Sequence, residues 1–144
     1  MRFTRYTDYA LRVLMYLGRK GEDLSTIKEI AARYGISENH LMKVVHQLGR
    51  HGYITTIRGR QGGMRLAAAP DKINIGEVVR VTEDDLRIVE CFDDKTNACP
   101  ITKVCGLAGM IDEALAAFLA VLDQKTLADV LGKSVGLGAV LKLD

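Results

Sequence analysis

The sequence of 144 residues lacks tryptophan and contains only two prolines and three cysteines. Because three is an odd number, the cysteines cannot all pair within one chain, which argues against a secreted module held together by disulfides. No apolar run approaches the ~20 residues that a membrane-spanning helix needs. The opening stretch, MRFTRYTDYALR, is charged and helical in pattern, unlike a secretory signal. We therefore expect a cytoplasmic protein with no membrane partner.

Signatures of an enzyme are also missing. No pair of nucleophile and base stands at an informative spacing, and the sequence has no phosphate-binding loop. The glycines near residue 62 follow a helical pattern and precede a strand, which is the wrong order for a dinucleotide site. We expect a protein that is not an enzyme.

Length and composition predict one folded domain, with 48% hydrophobic and 26% charged residues. The net charge of +2 is unevenly distributed. Residues 1–80 hold 14 Lys and Arg against 7 Asp and Glu, whereas residues 81–144 hold 6 against 11. A basic half favours contact with a polyanion, although an unevenly charged solvated surface would produce the same pattern.

Two short helices joined by a tight turn are predicted in the segment TIKEIAARYGISENHLMKVVHQLGRHG. The break falls at Tyr34–Ile36, Ser37 is suited to cap the second helix, and Gly52 is suited to end it. The following segment, YITTIRGRQGGMRLA, reads as a β-hairpin with a basic tip. A helix-turn-helix followed directly by such a hairpin predicts a winged helix, a fold that commonly binds DNA.

The remaining chain divides into three parts. A short helix capped by Asn74 is predicted to run to about Thr82 and to complete a winged helix-turn-helix domain at 1–82. Residues 83–105, which we call the cysteine loop, hold all three cysteines. Residues 106–144 are predicted to form a long dimerisation helix and a tail. Its apolar stripe comprises Leu107, Ile111, Ala114 or Leu115, Phe118 and Leu122, and its polar face is thin.

The first helix is also predicted to lie at the dimer interface. One apolar stripe runs through Phe3, Tyr6, Ala10, Val13 and Leu17, and a second stripe lies on another side of the helix. A helix that is apolar on two faces has to be covered twice, once by its own domain and once by a partner chain in this interpretation. The predicted fold is therefore mainly α, with a small β-hairpin wing.

Candidate DNA contacts cluster at the start of the second helix of the pair, on the wing and at the N-terminus. The outward N-terminal end of that helix is the part that enters the major groove in helix-turn-helix proteins. There, Asn39 is suited to read adenine and Lys43 to read guanine or to contact phosphate. The full set is Ser37, Asn39, His40 and Lys43 on the helix, Arg58, Arg60, Gly62 and Gly63 on the wing, and Arg2 and Arg5 near the N-terminus.

The cysteine spacing, Cys91-x7-Cys99-x5-Cys105, is the most specific motif. Structural zinc sites usually contain close C-x2-C pairs, and the loop contains neither such a pair nor a histidine. Three thiolates within fifteen residues better suit an iron–sulfur cluster with one ligand that is not cysteine. Inert thiols, a redox switch and a zinc site remain alternatives on spacing alone.

The segments TDYALRVLMYL, GISENHLMKVVHQL, RGRQGGMRLA, VVRVTEDD and ECFDDKTNACPITKVC together resemble the Rrf-type winged-helix iron–sulfur regulators, to about Leu131. The resemblance implies a homodimer whose long C-terminal helices cross. It also implies a [4Fe–4S] or [2Fe–2S] cluster near the interface, held by Cys91, Cys99 and Cys105. Such a protein is a transcriptional repressor that binds a double-stranded DNA operator.

Within this family the chain is most similar to repressors that sense nitric oxide and release DNA when the cluster is nitrosylated. In that branch an aspartate at the position of Asp8 can supply the fourth ligand from the other subunit, whereas a simple i,i+4 pair with Arg12 is the structural alternative. The IscR type has a histidine soon after its third cysteine, and none follows Cys105 here. The iron-responsive RirA type would share the ECF…CP…CGL pattern, but the TDYALR start favours nitric oxide as the signal.

Overall fold

The computed structural model describes residues 1–143. Over this range the chain forms seven α-helices and one two-stranded sheet, confirming the predicted mainly α winged helix. The elements are α1 (Arg5–Lys20), α2 (Ile27–Tyr34), α3 (Glu38–Arg50), β1 (Ile54–Ile57), β2 (Gly63–Leu66), α4 (Ile75–Thr82), α5 (Gly106–Asp123), α6 (Leu127–Lys133) and α7 (Leu137–Val140). Short 3₁₀ turns lie at Pro70–Lys72, Glu90–Phe92 and Thr102–Val104. None of these helices has the length and hydropathy needed to cross a bilayer.

Local capping explains the helix-turn-helix. The Thr26 hydroxyl accepts the Glu29 N–H, and the Glu29 carboxylate accepts the Thr26 N–H, so a capping box begins α2. Gly35 then turns the chain with a φ of 64°, in the left-handed region that glycine tolerates. The Ser37 hydroxyl accepts the His40 N–H and begins α3, as predicted. The break between the two helices therefore lies where the sequence indicated.

The wing is tied to the chain that precedes α2. β1 and β2 pair antiparallel, with Ile54 opposite Leu66 and Ile57 opposite Gly63. Ser25 adds one more rung to β2, because its N–H and C=O exchange hydrogen bonds with Met64 at 3.0 and 2.8 Å. A Cβ atom at Gly63 would lie 2.8 Å from the Ser25 oxygen, so this close approach requires glycine. The hairpin is consequently held in a fixed place beside the two helices.

α1 is the central helix of the core. Val13, Leu14 and Tyr16 are fully buried and Leu17 is 1% exposed. One of its faces is covered by α6, and at Gly18 a Cβ atom would lie only 2.7 Å from Cδ1 of Leu131. The two apolar faces of α1 are thus largely covered within one chain. One of them had been expected to pack against a partner chain. The apolar faces of α1 therefore no longer support its predicted contact with a partner chain. That contact stays a prediction.

A polar clamp joins the start of α4 to the end of α5. The Arg80 guanidinium makes a bidentate pair with the Asp123 carboxylate, with Nη2 and Oδ2 2.8 Å apart. The Asn74 amide donates to the Asp123 carbonyl at 2.6 Å. Paired hydrogen bonds between residues 73–75 and 125–127 continue the contact. Gly76 leaves room for the carboxylate, because a side chain there would overlap it.

Candidate nucleic-acid interface and cysteine loop

The exposed face of α3 lies opposite the face that packs into the core. Leu41, Val44 and Leu48 are fully buried, while Asn39 and Lys43 point to solvent. Their outward position at the N-terminal half of α3 matches the arrangement in which a recognition helix contacts base edges. Their contact with DNA stays a prediction.

The other two candidates on this segment also have partners within the chain. The Ser37 hydroxyl is engaged in capping α3, at 3.1 Å from the His40 nitrogen. The His40 ring is half-buried and lies edge-on to Tyr9 of α1, with the ring centroids 5.0 Å apart. Ser37 and His40 therefore help to position α3 whatever they contact outside the chain.

Two further side chains share the exposed face of α3 and were not among the predicted contacts. Met42 is 51% exposed, and His46 is exposed one turn later. They stand three and seven residues after Asn39, the spacing of one helix face. The sequence shows this spacing, so it could have identified Met42 and His46 as members of the exposed face.

The wing and the N-terminus present arginines to solvent. Arg58 and Arg60 are exposed at the hairpin tip, where Gly59 has a φ of 116°, and Arg2 and Arg5 are exposed around the start of α1. Gly62 and Gly63 serve the fold itself, since a Cβ atom at Gly62 would overlap the Ile57 carbonyl oxygen. A close approach of the backbone to DNA at these glycines stays a prediction.

Glu83, the first residue of the cysteine loop, caps α1 from a distance of 79 residues in the chain. Its carboxylate accepts the Thr4 N–H at 3.1 Å and the Thr7 hydroxyl at 2.5 Å. A carboxylate also interacts favourably with the positive end of the α1 dipole. This contact links the loop directly to the α1 N-terminus, next to the exposed Arg5.

The cysteine loop is organised by its own polar groups. The Arg87 guanidinium contacts the carboxylates of Asp85 at 2.7 Å and Asp93 at 2.5 Å. The pKa of Asp93 is lowered by the Lys95 N–H and the Thr96 hydroxyl, and further by Arg87. These contacts hold the course of the loop between residues 85 and 96.

Hydrogen bonds also fix the backbone around the middle cysteine. The Cys99 N–H donates to the side-chain oxygen of Asn97 at 3.0 Å, and the Cys99 carbonyl accepts the Thr102 hydroxyl at 2.8 Å. All three cysteines are partly exposed free thiols. None of the three cysteines belongs to the buried core.

The donor set suits an iron–sulfur cluster in its chemistry, because soft thiolates on one loop are the ligands such clusters use. In the part of the chain that the structure describes, however, no three His, Cys, Asp or Glu side chains converge on one point. Asp8 instead pairs with Arg12 in its own chain, with Oδ2 2.8 Å from Nη2. The predicted role of Asp8 involves the other subunit, so a single chain leaves it a prediction.

α5 carries two apolar stripes. Ile111, Leu115 and Leu122, which belong to the predicted stripe, are half-buried against the rest of the chain. A second stripe faces solvent: Leu107, Met110, Ala114, Ala117 and Val121 are all exposed. Its steps of three and four residues are those of a coiled-coil seam. The predicted stripe therefore mixed members of both, because Leu107 and Ala114 lie on the exposed stripe and Phe118 is also exposed. Met110, Ala117 and Val121 were not predicted.

Comparison with known proteins agrees with this architecture. The family model Rrf2, described as an iron-dependent transcriptional regulator, matches residues 3–133. Proteins named HTH-type transcriptional regulator NsrR are 57% identical in Bacillus subtilis (strain 168) and 54% identical in Halalkalibacterium halodurans, covering 99% of both chains in each pair.

Solved structures show the same fold. CymR, the global cysteine regulator of B. subtilis, superposes with a TM-score of 0.74 at 29% identity, covering 93% of this chain and 98% of its own. IscR of T. potens gives 0.72 at 28% identity, covering 93% and 88%. With the winged helix, the exposed face of α3 and the match over nearly its whole length, the chain belongs to the Rrf2 family of DNA-binding transcriptional regulators.

Proposed function

We propose that this regulator is a homodimeric repressor whose operator binding is gated by an iron–sulfur cluster that responds to nitric oxide. The observation that carries the proposal is the place of the cysteine loop. Its three thiols lie between α4 of the winged helix and the uncovered helix α5, and its first residue caps α1. A change in the loop therefore has a short physical route to the DNA-binding surface.

The surface suits a DNA duplex. α3 enters the major groove with Asn39 and Lys43 forward, while Arg58 and Arg60 of the wing contact the sugar-phosphate backbone or the minor groove. Arg2 and Arg5 add phosphate contacts. Because Lys43 and the four arginines are exposed and cationic, binding weakens steeply as the salt concentration rises.

The uncovered stripe of α5 supports the homodimer. Leu107, Met110 and Val121 are between 59% and 68% exposed, which is unfavourable for apolar side chains in water. Two copies of the stripe would cover each other, with the small residues Ala114 and Ala117 allowing close approach. A two-fold dimer must hold its two α3 helices ~34–36 Å apart to reach successive major grooves, so a small rotation between protomers is enough to abolish binding.

Cys91, Cys99 and Cys105 hold the cluster in this proposal, and Asp8 of the other subunit supplies the fourth ligand. When bound, the cluster supplies iron that reacts with nitric oxide. Because a carboxylate binds iron less tightly than thiolate does, Asp8 would hold its iron more weakly than the cysteines would. Asp8 must leave Arg12 to take this role. The match to an iron-dependent family and the chemistry of the donor set support the assignment.

Anaerobic purification followed by titration tests the proposal. We expect bound iron and sulfide, visible absorption, and operator binding that is lost as nitric oxide is added. Cys91→Ala, Cys99→Ala and Cys105→Ala should each remove the absorption and the high-affinity binding yet leave a folded dimer, because the apolar core does not include the thiols.

Each part of the proposal can fail separately. Zinc in place of iron after anaerobic preparation would exclude the cluster. Operator binding that persists after complete reaction with nitric oxide would exclude that signal. Asp8→Ala should keep the absorption but change its spectrum and its rate of reaction with nitric oxide, and an unchanged spectrum and rate would exclude Asp8 as a ligand.

A further inference from the structure

Met42 is the exposed exception among the large apolar side chains of α3, all of which the structure describes. Leu41, Val44 and Leu48 are fully buried and Val45 is 8% exposed, whereas Met42 is 51% exposed. An exposed apolar side chain in itself is ordinary. The position of this one gives it significance, because it stands on the face of α3 that carries Asn39 and Lys43.

The surroundings of Met42 make it a ridge. On one side lies an open hollow of about 730 Å³, bounded across from α3 by Tyr6, Val81 and Asp84. On the other side lies a hollow of about 470 Å³, bounded by Ile27, Ile54 and Thr56. Met42 lines both. Its side chain therefore projects between two depressions, a shape suited to insertion into a groove.

The chemistry of the major groove narrows what such a ridge can contact. Base edges there present hydrogen-bond donors and acceptors, and the one apolar group among them is the 5-methyl of thymine. Asn39 and Lys43 flank Met42 on the same helix face and can make the hydrogen bonds and phosphate contacts. Met42 is the residue on this face that is suited to contact an apolar group. A flexible, polarizable thioether can also adjust its shape to a methyl group without strain.

We propose that Met42 is a specificity-determining residue that contacts a thymine 5-methyl group in each operator half-site, at or beside the base pair reached by Asn39. This inference rests on the proposed DNA-binding role and adds a base preference to it. A residue three positions further along a helix lies ~4.5 Å along the helix axis. This is between one and two times the ~3.4 Å rise per base pair, so the two side chains can reach the same or neighbouring base pairs.

Single-atom changes in the DNA test the contact. The full-length protein, in the form that binds DNA, first selects duplexes from a random library. Each thymine of a selected half-site is then replaced singly by deoxyuridine, which removes the methyl group and keeps every hydrogen-bonding atom. We expect one position at which wild-type binding weakens about fourfold, the effect of exposing one apolar carbon group.

The variant Met42→Ala completes a double-mutant cycle. It should bind the thymine duplex more weakly and should no longer distinguish thymine from deoxyuridine at that position. Val135→Ala, which truncates a 95% exposed apolar residue of the tail, is the matched control and should keep the full discrimination. A thermal melt of Met42→Ala equal to that of wild type would confirm that folding is intact.

Two results would overturn the inference while leaving the proposed function in place. One is wild-type binding that no single deoxyuridine weakens. The other is a loss of the same size in wild type and in Met42→Ala, which would assign the effect to DNA shape. Failure of the wild-type protein to select any duplex would instead reject the proposed function and this inference with it.

Discussion

A single carboxylate, that of Glu83, connects parts of the chain that lie far apart in sequence. It meets the backbone of Thr4 and the hydroxyl of the fully buried Thr7 at the start of α1. The sequence gives little sign of this contact, because a residue that caps a helix usually lies next to that helix in the chain. The contact makes the beginning of the cysteine loop part of the winged helix.

Glu83→Ala should destabilise the protein. The change removes the acceptor of the Thr4 N–H and of a buried hydroxyl, which together correspond to about 1–2 kcal/mol of unfolding free energy. Chemical denaturation of the purified wild-type and Glu83→Ala proteins measures this difference in unfolding free energy. Glu22→Ala is the matched control, because the Glu22 carboxylate pairs with Arg65 on the surface and is 92% exposed. Equal stability of the two variants would contradict the capping role.

The Asp123 carboxylate should make stability depend on pH in a defined direction. Its pKa is lowered below the ordinary 3.8 because Arg80 donates two hydrogen bonds to it. A lowered folded-state pKa means that the contribution is present above 3.8 and is lost as the pH falls through the folded-state value. Asp123→Asn should therefore melt at a lower temperature than wild type at pH 7, with the gap closing in acid. A gap that persists unchanged at pH 2 would contradict this origin.

Between elements, the clamp joining α4 to α5 depends on Gly76 having no side chain. Gly76→Ala should destabilise the protein, because the new Cβ atom collides with the Asp123 carboxylate. The double variant Gly76→Ala with Asp123→Ala should recover part of that loss, since the clash is then gone. The two effects are therefore expected to be non-additive in denaturation experiments. Strict additivity would show that the collision is relieved in some other way.

The helix and the wing should contribute differently to DNA binding. Arg60→Ala should weaken binding to all sequences similarly and flatten the salt dependence, since an arginine on the backbone carries no sequence information. Asn39→Ala should lose discrimination at one base pair, by ~1–3 kcal/mol for a bidentate contact. Binding curves at several salt concentrations, with operator and scrambled duplexes, separate the two. Wild-type behaviour in both variants would remove these residues from the interface.

Elements that are determined by neighbouring residues could be predicted from the sequence, whereas packing between distant residues could not. The caps at Ser37 and Asn74, the turn at Gly35 and the hairpin follow from a few neighbouring residues, and they were predicted. The packing of α6 on α1 was not, because it depends on a close approach between Gly18 and Leu131, residues far apart in the chain. The exposed stripe of α5 was predicted only in part, through Leu107 and Ala114, for a related reason: on an apolar helix, periodicity alone does not show which face the chain itself covers.

For the whole molecule, the proposed pairing of two chains through the apolar seam of α5 predicts that operator binding depends on that seam. Met110→Glu places a charge in the middle of that seam, where a second copy would bury it. We expect the variant to be monomeric in light scattering and to lose high-affinity binding to a two-fold operator. Asp112→Lys, a charge change at an exposed position outside the stripe, is the control. A dimeric Met110→Glu variant would place the interface elsewhere.

The packing of the C-terminal residues on α1 affects how the chain folds during its synthesis. Leu127 and Leu141, 1% and 5% exposed, complete the core around a helix that is synthesised before them. At a translation rate of about 5–20 residues per second, they follow α1 by on the order of ten seconds. During that interval the growing chain gains its cysteine loop and α5 while its recognition helix still lacks a finished support. A chain interrupted before residue 127 would therefore carry a winged helix with an unfinished core, so incomplete products should bind DNA poorly.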